Sequence, residues 1–189
     1  MSELSSVLAS ERSSQPAPSL TAVVYTDNTY PDAAFAALVA RCRSLGLSLA
    51  GVLQRRVSEA PDRRCDVLLE DLSTGHCTSI FEDRGAGAAG CRLDEAALNE
   101  AAARIEGEMA GRPDLLVLNK FGKAECAGGG LLDLIASAMD RQIAVVIGVP
   151  KSNLQAWRGF AGDLSVELSD EIGDIERWAE SLTCVNPAD

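Results

Sequence analysis

Three short stretches of this chain combine cations with glycine or hydroxyl residues, the side-chain and backbone types that hold a small anion. The first is Asp83 to Arg92 (DRGAGAAGCR), in which Arg84 and Arg92 flank Gly85, Gly87 and Gly90, with Cys91 next to the last glycine. The second is Asn119-Lys120-Phe121-Gly122-Lys123, followed by Glu125 and by Gly128 to Gly130. The third is Lys151-Ser152-Asn153. Glycine lets backbone amides converge on a ligand, and the amides at a helix start sit at the positive end of its dipole, so each stretch offers neutral donors plus a cation to a phosphate-like oxyanion. Taken singly, each is equally well explained as a solvated connection with surface charges. In a chain of net charge −11, their joint occurrence marks a candidate anion site made of Arg84, Gly85, Gly87, Gly90, Cys91, Arg92, Asn119, Lys120, Lys123 and Ser152. Arg55 and Arg56, at the end of an apolar run, would add to it.

Other chemistries are poorly supplied. Cys91 precedes a helix start, a setting that lowers a thiol's pKa, but a nucleophilic cysteine wants a base, and the one histidine, His76, falls in a turn elsewhere. No catalytic residue is assigned on this basis. The six cysteines contain no CxxC pair, which disfavours a zinc site; they read as scattered reduced thiols, with Cys65 and Cys77 facing each other across a hairpin. A magnesium site at Asp27 has less support than simple turn and capping roles. The acidic balance gives no field to gather nucleic acid or an anionic membrane, and no apolar run approaches the ~18 residues of a membrane helix. A cytoplasmic protein is expected.

The elements that must position these residues follow from local pattern. Residues 1–19, rich in serine, are expected to be a disordered tail, residues 20–182 a single domain, and residues 183–189 a C-terminal tail. Leu20 to Tyr25 reads as a strand, Ala33 to Leu45 as a helix closed by Gly46, and Leu47 to Gln54 as a second strand. Cys65 to Leu72 and Cys77 to Phe81, split by Ser73-Thr74-Gly75, read as a β-hairpin. Asp94 is the expected N-cap of a helix with the stripe Leu98, Ala102 and Ile105. Asp114 to Leu118 and Ala144 to Val149 are runs suited to buried parallel strands, with a helix from Leu131 to Arg141 between them. A further helix lies within residues 151–162, with Ser152 or Asn153 at its start and Trp157 and Phe160 facing inward, and Trp178 docks a last one. The implied fold class is α/β: a mostly parallel sheet with helices on both faces and an inserted hairpin. Such sheets bind ligands beyond the carboxyl ends of their strands, where the three stretches would converge.

The end of the first strand is where a phosphate loop would carry GxxxxGK[ST]. Residues 26–33 read TDNTYPDA instead, without glycine or lysine. After the apolar run DLLVL, where a nucleotide hydrolase carries magnesium-holding acids, stand Asn119 and Lys120.

In order along the chain, GVLQRR, CDVLLEDLSTG, DRGAGAAGCRLD, LLVLNKFGKAE and VVIGVPKSNLQAW resemble an uncharacterised bacterial family associated with molybdenum-transport loci, over roughly residues 20–180. That family is distantly similar to small P-loop nucleoside triphosphatases in which a strand ends in an acidic pair followed by I-G-K and Met-Glu. Here Gly122, Lys123 and Glu125 keep the corresponding places, while the acidic pair and the phosphate loop are lost. The resemblance implies a P-loop-NTPase-like fold with a degenerate Walker A loop, and molybdate or tungstate as the ligand of a binding or homeostasis protein. The alternative it leaves open is a divergent nucleoside triphosphatase using ATP or GTP with magnesium, in which Lys120 or Lys123 replaces the P-loop lysine and Glu125 positions water. A third reading uses the acidic C-terminal region to dock a partner, since residues from Asp163 onward hold eight acids against one arginine. No nucleic-acid or membrane partner is expected, and whether copies of the chain associate stays open.

Overall fold

In a computed structural model of the chain, the described residues are 20–27, 29–56, 67–81 and 92–183. They form one seven-stranded sheet in the order β4-β3-β2-β5-β6-β1-β7. The strands are β1 (Leu20–Tyr25), β2 (Leu49–Arg56), β3 (Val67–Asp71), β4 (Cys77–Ser79), β5 (Leu115–Leu118), β6 (Ala144–Pro150) and β7 (Ser165–Ser169). β2, β5, β6, β1 and β7 run parallel, and β3 and β4 extend the sheet as an antiparallel hairpin. The helices are α1 (Asp32–Ser44), α2 (Glu95–Met109), α3 (Lys123–Cys126), α4 (Leu132–Asp140), α5 (Leu154–Ala161) and α6 (Ile172–Thr183).

The parallel strands are central because their side chains are apolar on both faces. All four residues of β5 are fully buried, as are Val145, Val146, Ile147 and Val149 of β6. One face packs Leu98, Ile105 and Met109 of α2, Leu134, Ile135 and Ala138 of α4 and Trp157 of α5. The other packs Phe35, Leu38, Val39 and Cys42 of α1 against Val23, Leu115, Val117 and Val146, with Ile175 and Ala179 of α6. Trp178 is half-buried at the rim of that second cluster. Each fully buried large side chain contributes roughly 1.5–3 kcal/mol, so the fold rests on this double-sided core.

Local rules explain most boundaries. The Asp94 carboxylate accepts the Ala97 amide at 3.0 Å, as an N-cap should. In the hairpin turn, Asp71 Oδ1 accepts the amides of Ser73 and Thr74, both at 2.9 Å. Gly51 has a φ of 106°, and a Cβ there would lie 2.0 Å from the Val117 carbonyl oxygen, so glycine is what lets β2 lie against β5.

Three expectations need correction. Ser165–Ser169 is a strand, read from the sequence only as part of an acidic tail region. Phe160, expected to face inward, is 43% exposed at the rim of α5, although its ring still meets those of Phe121 and Trp157. Asn153 does not cap α5 with its side chain; it donates to the Phe121 carbonyl at 2.8 Å and ties the start of α5 to the loop after β5. The tail expected at residues 1–19 lies outside the described residues, as does Cys65; of the one expected at 183–189, Thr183 ends α6 and the rest lies outside them; Cys42 is a buried free thiol, and Cys77 and Cys126 are exposed ones. Among the described residues no helix is long and apolar enough to cross a membrane.

Candidate functional site

The parallel register puts the carboxyl ends of β2, β5, β6 and β1 side by side along one edge. Six residues, 26–31, connect β1 to α1, and Tyr30 of this loop packs inward. The Tyr30 ring stacks on Phe35 in the first turn of α1 (centroids 5.5 Å apart, planes 9° apart) and meets Tyr25 edge-on at 5.8 Å. Its hydroxyl is buried beside the Gln54 backbone without a well-formed hydrogen bond. Burial, then the neighbouring Tyr25 and Asp32, pushes that phenol well above its ordinary pKa. Burial also raises Tyr25, to about 12, with Asp27 adding to the effect.

Carboxylates occupy the places where a phosphate would meet positive groups. Asp32 is the first residue of α1, in the turn where the motif lysine belongs, and it satisfies the helix's positive end. Asp27 Oδ1 accepts the Ser152 amide at 2.9 Å, linking the β1 loop to the short helical turn Lys151–Asn153 after β6. The first loop is therefore closed by internal anions and an aromatic plug.

At the end of β5, Asn119 is 6% exposed; its Nδ2 donates to Gln54 Oε1 at 3.3 Å, and its Oδ1 is buried with no partner. A carboxamide in this place holds no metal by charge. Phe121 drops into the core and its amide reaches the Gly148 carbonyl at 2.8 Å, so the chain turns sharply and presents Lys120 and Lys123 to solvent. The Lys120 stem lies over Gly122, where a Cβ would meet its Cε at 3.7 Å. Glu125 is buried with both oxygens engaged: Oε2 accepts the Gly122 amide at 2.8 Å, and Oε1 accepts the Leu131 amide at 3.0 Å. Gly130, with φ 64°, must be glycine, because a Cβ there would sit 2.0 Å from Glu125 Oε1. Through these two bonds the Glu125 carboxylate shapes the lysine-bearing loop.

The structure thus brings together Asn119, Lys120, Lys123 and Ser152, with Lys151 also exposed beside them, on the loops of the adjacent strands β5 and β6. Arg92 lies at the same edge, next to the bridge that pairs Phe81 with Leu93 beyond β4, but β4 is three strand spacings from β5, roughly 14 Å. Arg84, Gly85, Gly87, Gly90 and Cys91 lie outside the described residues. Arg55 is paired with Glu70 across the hairpin and does not join the lysines. Among the described residues no group of three or more His, Cys, Asp or Glu side chains could hold a metal ion. Sequence reasoning missed Tyr30 and the Asp27 latch; their only signal was an aromatic and a carboxylate where glycine and lysine are required.

A mostly parallel sheet covered on both faces gives an α/β fold of the P-loop-NTPase-like kind, and residues 26–33 after β1 carry neither the glycines nor the lysine of a phosphate loop. The chain belongs to the family described as "Protein of unknown function (DUF2478)", which it matches over residues 20–178. It is 36% identical over 133 residues to "Molybdenum import ATP-binding protein ModC 2" of Bradyrhizobium diazoefficiens; the match covers 70% of this chain but only 15% of that relative's length. Its fold is similar to that of THEP1 from the hyperthermophile Aquifex aeolicus, with a TM-score of 0.58 at 14% identity, covering 90% of this chain and 99% of THEP1.

Proposed function

We propose that this protein binds the phosphate groups of a nucleotide at the loops following β5 and β6, and that it does so without the glycine and lysine cradle of a P-loop enzyme. The observation that carries the reading is the division of charge along the strand ends: Asp27 and Asp32 on the β1 side, and Lys120, Lys123 and Lys151 on the β5 and β6 side. The P-loop-NTPase-like fold and the similarity to a protein described as ATP-binding both favour a nucleotide as the source of the phosphate. With Asp32 at the motif lysine's place and Asn119 at the acid's place, the reading is one of binding; hydrolysis of ATP or GTP with magnesium is the alternative, and it would need metal ligands from elsewhere.

A second reading, favoured by the molybdenum-import description of the ModC 2 relative, is a tetrahedral oxyanion such as molybdate or tungstate on the same lysines and the Ser152 hydroxyl. Its charge and geometry resemble those of one phosphate group.

Calorimetric titration with ATP and GTP, each with and without magnesium, and with molybdate, tungstate and sulfate separates these readings when combined with a phosphate-release assay. Nucleotide binding without release is the expected result. Magnesium-dependent release would make the protein a hydrolase, selective molybdate or tungstate binding would favour the second reading, and no binding of any would contradict both.

A further inference from the structure

β7 is the last strand of the sheet: β1 pairs with one of its edges, and no described strand pairs with the other. Exposed edges of this kind are usually blunted by charge, because their unpaired amides and carbonyls are a template for another strand. β7 carries a single charge, Glu167, and that charge is taken up: Arg158 of α5 grips it with Nε at 2.6 Å and Nη2 at 2.8 Å. Arg158 holds the Glu167 carboxyl below its ordinary pKa, so the pair stays ionised and matched.

The four large hydrophobic side chains most exposed among the described residues lie on or near this strand. Ser165 and Glu167 face α5, through the Trp157 Nε1 to Ser165 Oγ bond at 3.0 Å and the Arg158 pair. Val166 therefore shares the opposite face with Leu168, which packs towards α6, yet Val166 itself is 56% exposed. Leu164, just before the strand, is 69% exposed, and Phe160 and Ile172 are 43% and 44% exposed on the helices either side of it in sequence. The rim is acidic: Asp163, Asp170 and Glu171 are all exposed beside these residues.

We infer that the edge of β7 left unpaired among the described residues docks an extended, basic segment of a partner protein by strand addition, with apolar side chains of that segment on Leu164 and Val166 and its cations on the acidic rim. Main-chain hydrogen bonds supply the affinity of such a complex, alternate side chains supply the selectivity, and charge complementarity selects the sign of the partner. Pairing with a second copy is disfavoured by the net charge of −11, which each copy would bring to the contact.

The test uses the full chain and a labelled ten-residue peptide of alternating valine and lysine, compared with a valine and glutamate version and with a lysine version interrupted by two prolines. Fluorescence anisotropy should show saturable binding of the lysine peptide and at least tenfold weaker binding of the other two. The Leu164→Lys, Val166→Lys double variant alters exposed side chains only; circular dichroism should match that of the unaltered protein, and its affinity for the lysine peptide should fall at least tenfold. Isotope-labelled protein should show the largest amide shifts at Val166 to Ser169. Equal binding of the proline-interrupted peptide would reduce the effect to bulk charge attraction and overturn the proposal, as would no binding or an unaffected double variant. Sedimentation showing a dimer that this double variant dissociates would assign the edge to self-pairing instead and would also overturn it.

Discussion

The Asp27 carboxylate accepts the backbone amide of Ser152 at 2.9 Å, joining the loop after β1 to the loop after β6 across the strand ends. A side-chain anion stands where the amide of an anion-binding loop would meet its ligand. In the proposed function this latch competes with the ligand for Ser152 and adds a repelling charge. Asp27→Asn should therefore raise affinity for ATP or molybdate about three- to tenfold, the size of one partly screened charge near an anion. Calorimetric titration of the variant with ATP and with molybdate checks this; unchanged or weaker binding would contradict it.

The tyrosine plug makes a separate claim about stability. Because the buried Tyr30 hydroxyl lacks a well-formed hydrogen bond, Tyr30→Phe should leave the unfolding free energy unchanged or raise it by up to ~1 kcal/mol. Tyr30→Ala removes the stack on Phe35 and the edge contact with Tyr25, and should cost about 2 kcal/mol. Urea denaturation distinguishes the two; a larger loss in the phenylalanine variant would mean that the hydroxyl is well bonded.

Glu125 and Gly130 should behave as one structural unit. Glu125→Ala leaves the Gly122 and Leu131 amides without their acceptor, and Gly130→Ala drives a methyl into the same carboxylate. Each should cost about 2–4 kcal/mol, and the double variant should cost clearly less than the sum. Additive losses from thermal unfolding would argue against the coupling.

How much of this was legible in the sequence depended on range. Strands β1, β5 and β6 announce themselves as apolar runs because both faces are covered, and Asp94 reads as a cap because its partner is three residues away. β7 did not: SVELS is short, carries a charge and is paired on one side only, so its exposed Val166 breaks the expected pattern of burial. The latch at Asp27 depends on a contact 125 residues away in sequence, and the Tyr30 hydroxyl is buried beside Gln54 of β2, neither of which a local rule encodes. The structural bonds of Glu125 were not legible either: its bond from the Leu131 amide forms only because Gly130 takes a left-handed turn.

The acid pair beneath the hairpin predicts a pH dependence away from the candidate site. Burial raises the Asp71 carboxyl, but hydrogen bonds from Thr74, Glu108 and Ser73 outweigh it and hold its pKa at about 2. Burial raises Glu108, and its closeness to Asp71 adds to that rise. Ser73 Oγ spans the two, 2.9 Å from Asp71 Oδ1 and 2.6 Å from Glu108 Oε1. Asp71, depressed below its unfolded value of ~3.9, contributes about 2 kcal/mol that is complete above about pH 4 and lost as the pH falls towards about 2. Glu108 has the opposite sign: its contribution is full below the unfolded value of ~4.3 and declines as the pH rises through its elevated folded value. Urea titrations should find the deficit of Asp71→Asn relative to the parent fully developed above about pH 4 and shrinking as the pH falls towards about 2, and Glu108→Gln free of the decline that the parent shows as Glu108 ionises.

The central claim is that anion recognition has passed from the β1 loop to the lysines after β5. Calorimetry of ATP, without magnesium and at low ionic strength, on the unaltered protein, Lys120→Ala, Lys123→Ala and Asp32→Ala addresses it directly. The account predicts at least a fivefold loss of affinity in each lysine variant, about 1 kcal/mol, and no loss in Asp32→Ala. Unchanged binding in both lysine variants, or affinity that falls in Asp32→Ala, would contradict it.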